Sequence, residues 1–96
     1  MVSENSYRVP AQVLVAHLEG EAVILHMDTK RYYRLNDTAA VIWKALERGE
    51  ALPGIVSALR KEFDVAEDEA TREAERVVAD LVEKGLLARQ KDDRTS

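Results

Sequence analysis

The chain has 96 residues, enough for one domain with a modest core. An apolar fraction of 46% favours a packed globule over disorder, and the absence of cysteine removes disulfides, thiolate metal sites and cysteine nucleophiles together. With 14 basic and 18 acidic residues the formal charge is −4, which disfavours a non-specific nucleic-acid binder. No apolar run approaches the roughly 20 residues that span a bilayer. The start, Met1-Val2-Ser3-Glu4-Asn5, lacks the basic and apolar regions of a signal peptide. A cytoplasmic protein is expected, with no membrane or nucleic-acid partner. It reads as a single domain over 1–96, its ordered core at about 11–88 and its ends flexible.

In chain order, Met1 to Pro10 reads as a short arm in which Pro10 limits backbone pairing. Val13-Leu14-Val15-Ala16-His17-Leu18 and Ala22-Val23-Ile24-Leu25-His26-Met27 are short apolar runs separated by a turn at Glu19-Gly20-Glu21. Their length and β-branched content predict strands. Asp28-Thr29-Lys30 predicts the next turn and Arg31 to Leu35 a third strand, completing an antiparallel meander.

Asn36 and Asp37 can accept hydrogen bonds from the free N–H groups of a new helix. Ala39, Ile42, Trp43 and Leu46 follow at helical spacing, and Gly49 marks the end. A second helix opens near Pro53, with the stripe Leu52, Ile55, Val56, Leu59 and Phe63. A third opens at Glu67, its acidic first turn suited to the positive end of the helix dipole. Its stripe is Ala70, Ala74, Val77, Val78 and Leu81, widened by Val82, and Gly85 closes it. Leu86-Leu87-Ala88 adds a short extended segment, and Arg89 to Ser96 reads as frayed. Strands followed by helices give an α+β class: a three-stranded antiparallel sheet, then three helices, in a winged-helix-turn-helix-like order.

No catalytic set emerges. His17 and His26, in adjacent strands, can face each other across the hairpin, but a third metal ligand is missing. The glycines are scattered rather than grouped in a phosphate loop, and Ser3, Ser6, Ser57 and Ser96 lack the context of an activated nucleophile. A DNA-reading role fits poorly as well. From Glu67 to Lys84 three cations face seven carboxylates, a balance that repels phosphate.

The third strand differs, for Lys30, Arg31 and Arg34 make it strongly basic. Alternation puts Arg31, Tyr33 and Leu35 on one face and Tyr32 and Arg34 on the other. Two readings stand side by side. The charges keep a hairpin edge soluble, or the edge docks an incoming peptide strand.

The run Asp28-Thr29-Lys30-Arg31-Tyr32-Tyr33-Arg34-Leu35-Asn36-Asp37-Thr38-Ala39, followed by Ile42-Trp43 and a final helix ending Leu81-Val82-Glu83-Lys84-Gly85-Leu86-Leu87, resembles the PqqD-like family. These are the precursor-peptide recognition elements of ribosomally made, modified peptides. The resemblance covers about Val13 to Leu87 and is most like the discrete leader-binding subunit of split lasso-peptide B proteins.

It implies a non-catalytic subunit without a cofactor. A leader peptide would add antiparallel to the third strand, beside the third helix. Backbone partners would come from Arg31, Tyr32, Tyr33, Arg34 and Leu35, and the groove wall from Val77, Val78, Leu81 and Val82. Arg34, Arg76 and Lys84 would meet acidic leader side chains, Glu73 and Asp80 basic ones, and tyrosine, proline and leucine would anchor the leader. The partners implied are the precursor leader, a separate leader peptidase and, as a further candidate, the cyclase. The Pro-Glu-Gly turn typical of the quinone-cofactor branch is replaced by Asp28-Thr29-Lys30, which favours the lasso branch. The alternatives are a peptide chaperone of another modified-peptide pathway and, ranking below it, a winged-helix transcription regulator.

Overall fold

A computed structural model describes residues 6–19 and 21–90. Within them the chain forms β1 (Ser6–Arg8), β2 (Val13–Leu18), β3 (Glu21–His26), β4 (Arg31–Leu35), α1 (Asp37–Glu47), α2 (Leu52–Glu62), α3 (Glu67–Glu83) and β5 (Ala88–Gln90). The expected three-stranded antiparallel meander is present, in the order β2-β3-β4, and is followed by the three helices. Gly20 of the expected first turn lies outside the described residues, and Glu21 opens β3.

The N-terminal arm and the frayed tail need correction. Ser6, Tyr7 and Arg8 pair antiparallel with Gln90, Arg89 and Ala88 in a separate two-stranded ribbon. The pairing joins the two ends of the chain, so no local pattern announces it. Pro10 follows the strand, where its missing N–H interrupts no ladder. The Arg89 guanidinium lies 5.9 Å from the centre of the Tyr7 ring, a cation–π contact worth ~0.5–1 kcal/mol at an exposed site. The expected ends at 1–5 and 91–96 lie outside the described residues.

The helix boundaries follow local chemistry. The Asn36 side chain caps α1 by accepting the Ala39 N–H at 3.0 Å. Gly49 ends α1 in the left-handed region, where Gly49 N–H donates to Leu46 C=O and Glu50 N–H to Ala45 C=O. Gly85 ends α3 in the same way, through Gly85 N–H to Val82 C=O and Leu86 N–H to Leu81 C=O. Both are the paired C-terminal closure that glycine favours.

The strand register fixes the two faces of the meander. Val13, His26 and Arg31 form one row; Val15, Ile24 and Tyr33 the next; His17, Ala22 and Leu35 the third. This face carries the buried residues Val13, Ala22, Ile24 and Leu35 and meets the helices. The opposite face carries the rows Leu14–Leu25–Tyr32 and Ala16–Val23–Arg34. The core between sheet and helices centres on Trp43, Ile24, Ile42, Ile55, Leu59, Val78 and Leu86, and contains no buried polar or charged residue among those described. The stripe predicted for α3, from Ala70 to Leu81, is buried as a unit.

Candidate functional site

Among the described residues β3 is the only neighbour of β4 in the sheet, which makes β4 an edge strand. The Met27 N–H donates to Gln12 C=O at 2.8 Å, which sets the phase of the β2–β3 ladder. Antiparallel ladders alternate, so Ala22, Ile24 and His26 direct their backbone groups to β4 and meet Leu35, Tyr33 and Arg31. The backbone N–H and C=O groups of Tyr32 and Arg34 therefore point away from the sheet. They are the groups available to an added strand.

Side chains along β4 are graded by exposure. On the face toward the helices, Leu35 is buried, Tyr33 half-buried against the core rim and Arg31 exposed. On the other face Tyr32 is 71% exposed. The Arg34 guanidinium also stands there and meets Glu21 at 3.3 Å. Arg31 pairs across the ladder with His26, whose Nε2 lies 3.7 Å from the place a Cβ on Gly85 would occupy. The residue that closes α3 thus lies against the last residue of β3, across the ladder from the start of β4.

On α3 the predicted wall residues fall into two groups. Val78 and Leu81 are 2% exposed and Val77 7%, so all three pack in the core. Val82 is half-buried and packs on its rim. The charged residues pair along their own helix: Arg76 with Glu73, and Lys84 Nζ with Asp80 at 2.7 Å. The hydrogen bond and charge of Glu73 raise the Arg76 pKa above its ordinary value, so the guanidinium is a fixed cation.

The two histidines do not meet. Val13 is the partner of His26 and Ala22 the partner of His17, so the expected facing pair is displaced along the strands. His17 Nε2 instead meets Glu47 Oε1 at 2.9 Å, tying β2 to α1. His26 Nδ1 accepts the Thr29 N–H at 3.5 Å and supports the hairpin turn. Among the described residues no three metal-ligating side chains converge.

Two further features were not legible from the sequence. Leu14 and Leu18 of β2 are 52% and 53% exposed, and Met27, just beyond the end of β3 near Leu14, is exposed as well. Apart from His17 their run is apolar, so its composition hides which side faces the core. An open cleft of about 820 Å³ also lies between α1 and α2, lined in part by Ala40, Val41, Lys44, Ala58, Lys61 and Phe63. No residue of β4 or α3 lines it. Among the described residues no helix is long and apolar enough to cross a membrane.

A fold of this kind with an open cationic edge defines a class before it defines a relative. The profile of the coenzyme PQQ synthesis protein D (PqqD) family matches residues 21–87. The chain belongs to the PqqD family. A solved structure described as "TbiB1 in Complex with the TbiA(beta) Leader Peptide" superposes with a TM-score of 0.81 at 30% identity, covering 88% of this chain and 99% of that one. A second, "Lasso peptide synthetase B1 complexed with the leader peptide", gives a TM-score of 0.76 at 30% identity, covering 84% and 95%. No curated protein sequence matches the chain.

Proposed function

We propose that the chain is a non-catalytic, cytoplasmic adaptor that binds the leader of a lasso-peptide precursor and presents it to a separate leader peptidase, with the cyclase as a further partner. The observation that carries this reading is the β4 edge, where the outward backbone groups of Tyr32 and Arg34 stand beside the half-buried Tyr33. The two similar structures, each described as a complex with a leader peptide, support it.

The leader adds to β4 as an antiparallel fourth strand. Main-chain bonds give sequence-tolerant affinity, and apolar anchors against Tyr33 and Val82 give selectivity. Chemistry stays on the partner. The adaptor raises the effective concentration of the scissile bond at the peptidase.

The partner surface in this reading is the outer face of the sheet. Leu14, Leu25 and Tyr32 make one continuous row there, and Leu14, Leu18 and Met27 are exposed. A contiguous exposed apolar face is a usual mark of a protein interface. Because Tyr32 belongs to the same strand that takes the leader, the loaded leader extends this face by one strand.

The family match leaves one second reading, a peptide chaperone for a quinone-cofactor or other modified-peptide pathway. It uses the same edge and differs in the partner enzyme. Fluorescence polarisation with the labelled leader of a precursor encoded beside this gene tests the proposal. Saturable micromolar or tighter binding, lost when the leader's anchors become alanine, is expected. A folded protein that binds no such leader overturns it.

A further inference from the structure

The cations around the β4 edge are not equivalent. Arg34 is held by Glu21, Arg76 by Glu73 and Lys84 by Asp80. Lys30 and Arg31 are exposed and form no ion pair among the described residues. Asp28, the carboxylate of the same turn, accepts from Gln12 Nε2 at 3.3 Å. Arg31 stands on the helix-facing side of β4, in line with Tyr33 and Leu35. Lys30 has φ +62°, the only left-handed non-glycine residue among those described. Glycine or asparagine fills such a position with least strain, so the sequence places a charged side chain where the backbone does not favour one.

Strand polarity gives this pair a place along the peptide. A strand antiparallel to β4 begins beside Leu35 and leaves beside Arg31 and Lys30. The downstream end of the bound segment, the end that leads toward the processed region, therefore passes the two unpaired cations. We infer that Lys30 and Arg31 form an anion-reading exit to the groove and select peptides carrying an aspartate or glutamate just after the strand-forming segment. The inference rests on the strand-addition reading above. It assigns charge recognition to Lys30 and Arg31 rather than to Arg34, Arg76 and Lys84, which already have partners. The effect is local and modest, since exposed ion pairs are weak and screened by salt.

A random peptide library displayed on phage, selected against the full chain and against Arg31→Glu and Lys30→Glu, tests this. Circular dichroism checks that each variant is folded. The wild type is expected to enrich apolar anchors followed by an acidic residue. Arg31→Glu is expected to keep the anchors and to enrich lysine or arginine at that position. For a selected peptide, changing the acid to its amide should weaken wild-type binding about threefold at low salt and leave binding to the double variant Lys30→Gln/Arg31→Gln unchanged. Anchors enriched without any acidic preference overturn the inference and leave the groove reading standing. No enrichment by the folded wild type overturns the groove reading itself, and the inference with it.

Discussion

Tyr32 and Tyr33 are consecutive residues on opposite faces of one edge strand, Tyr32 in solvent on the outer face and Tyr33 packed against the core rim. Their substitutions separate two roles. Tyr33→Ala should cost about 1.5 kcal/mol of stability from lost apolar burial and weaken leader binding. Tyr32→Ala should leave stability within about 0.5 kcal/mol, keep leader binding and weaken association with the peptidase. Urea denaturation and polarisation titrations read both.

The ladder phase predicts a contrast between two proline variants. Arg34 directs its N–H out of the sheet, whereas Tyr33 directs its N–H to β3. Arg34→Pro should keep the fold and lose one main-chain bond to the leader, roughly a tenfold loss of affinity. Tyr33→Pro removes a ladder bond and should lower the melting temperature by more than Arg34→Pro does.

Leu81 and Val82 are neighbours with different burial, and this makes an informative pair. Leu81→Asp places an unpaired charge in the core of a small domain and should unfold it. Val82→Asp, at the rim, should remain folded with about 1 kcal/mol lost and bind the leader at least tenfold more weakly. Circular dichroism beside polarisation separates the outcomes. Equal leader affinity in a folded Val82→Asp would remove Val82 from the groove.

Leu14→Glu alters the outer face of the sheet alone, whereas Leu18→Glu also reaches the α1–α2 cleft that Leu18 helps to line. Both variants should fold and bind the leader as the wild type does. Both should lose the complex with the leader peptidase in a pull-down of purified partners. Retained complex formation would move the partner surface elsewhere, with the α1–α2 cleft the next place to mutate.

Gly49 and Gly85 both adopt positive φ, but only Gly85 has a neighbour within contact range of an added Cβ, the His26 ring at 3.7 Å. That is ordinary contact, so the cost of alanine is conformational at either site. Each substitution should destabilise by about 1 kcal/mol, seen as a similar drop in melting temperature of about 4–8 °C.

Much of the architecture was readable because local physics decides it. The apolar stripe of α3, the Asn36 cap, the glycine closures of α1 and α3 and the three strands of the meander all depend on residues within a few positions of one another. The edge of β4 was readable too, from its charge and its place beside a helix cap. Other features depend on contacts between distant segments. The β1–β5 ribbon joins the two ends of the chain. The displaced histidines required the strand register, and the pairing of Arg34, Arg76 and Lys84 required side-chain positions. So did the separation of Val82 from Val77, Val78 and Leu81, since a helical stripe looks alike whether it meets core or groove.

The sequence by itself determined the class of fold, the family resemblance and the absence of an evident catalytic set. Those follow from periodicity, turn chemistry and composition, which act over short distances. Only the tertiary structure decided which backbone groups of β4 face outward, which cations at its start lack an ion-pair partner among the described residues, and that the outer face of the sheet exposes Leu14, Leu18 and Tyr32. Those depend on register and on side chains brought together from separate parts of the chain, and no local pattern encodes them.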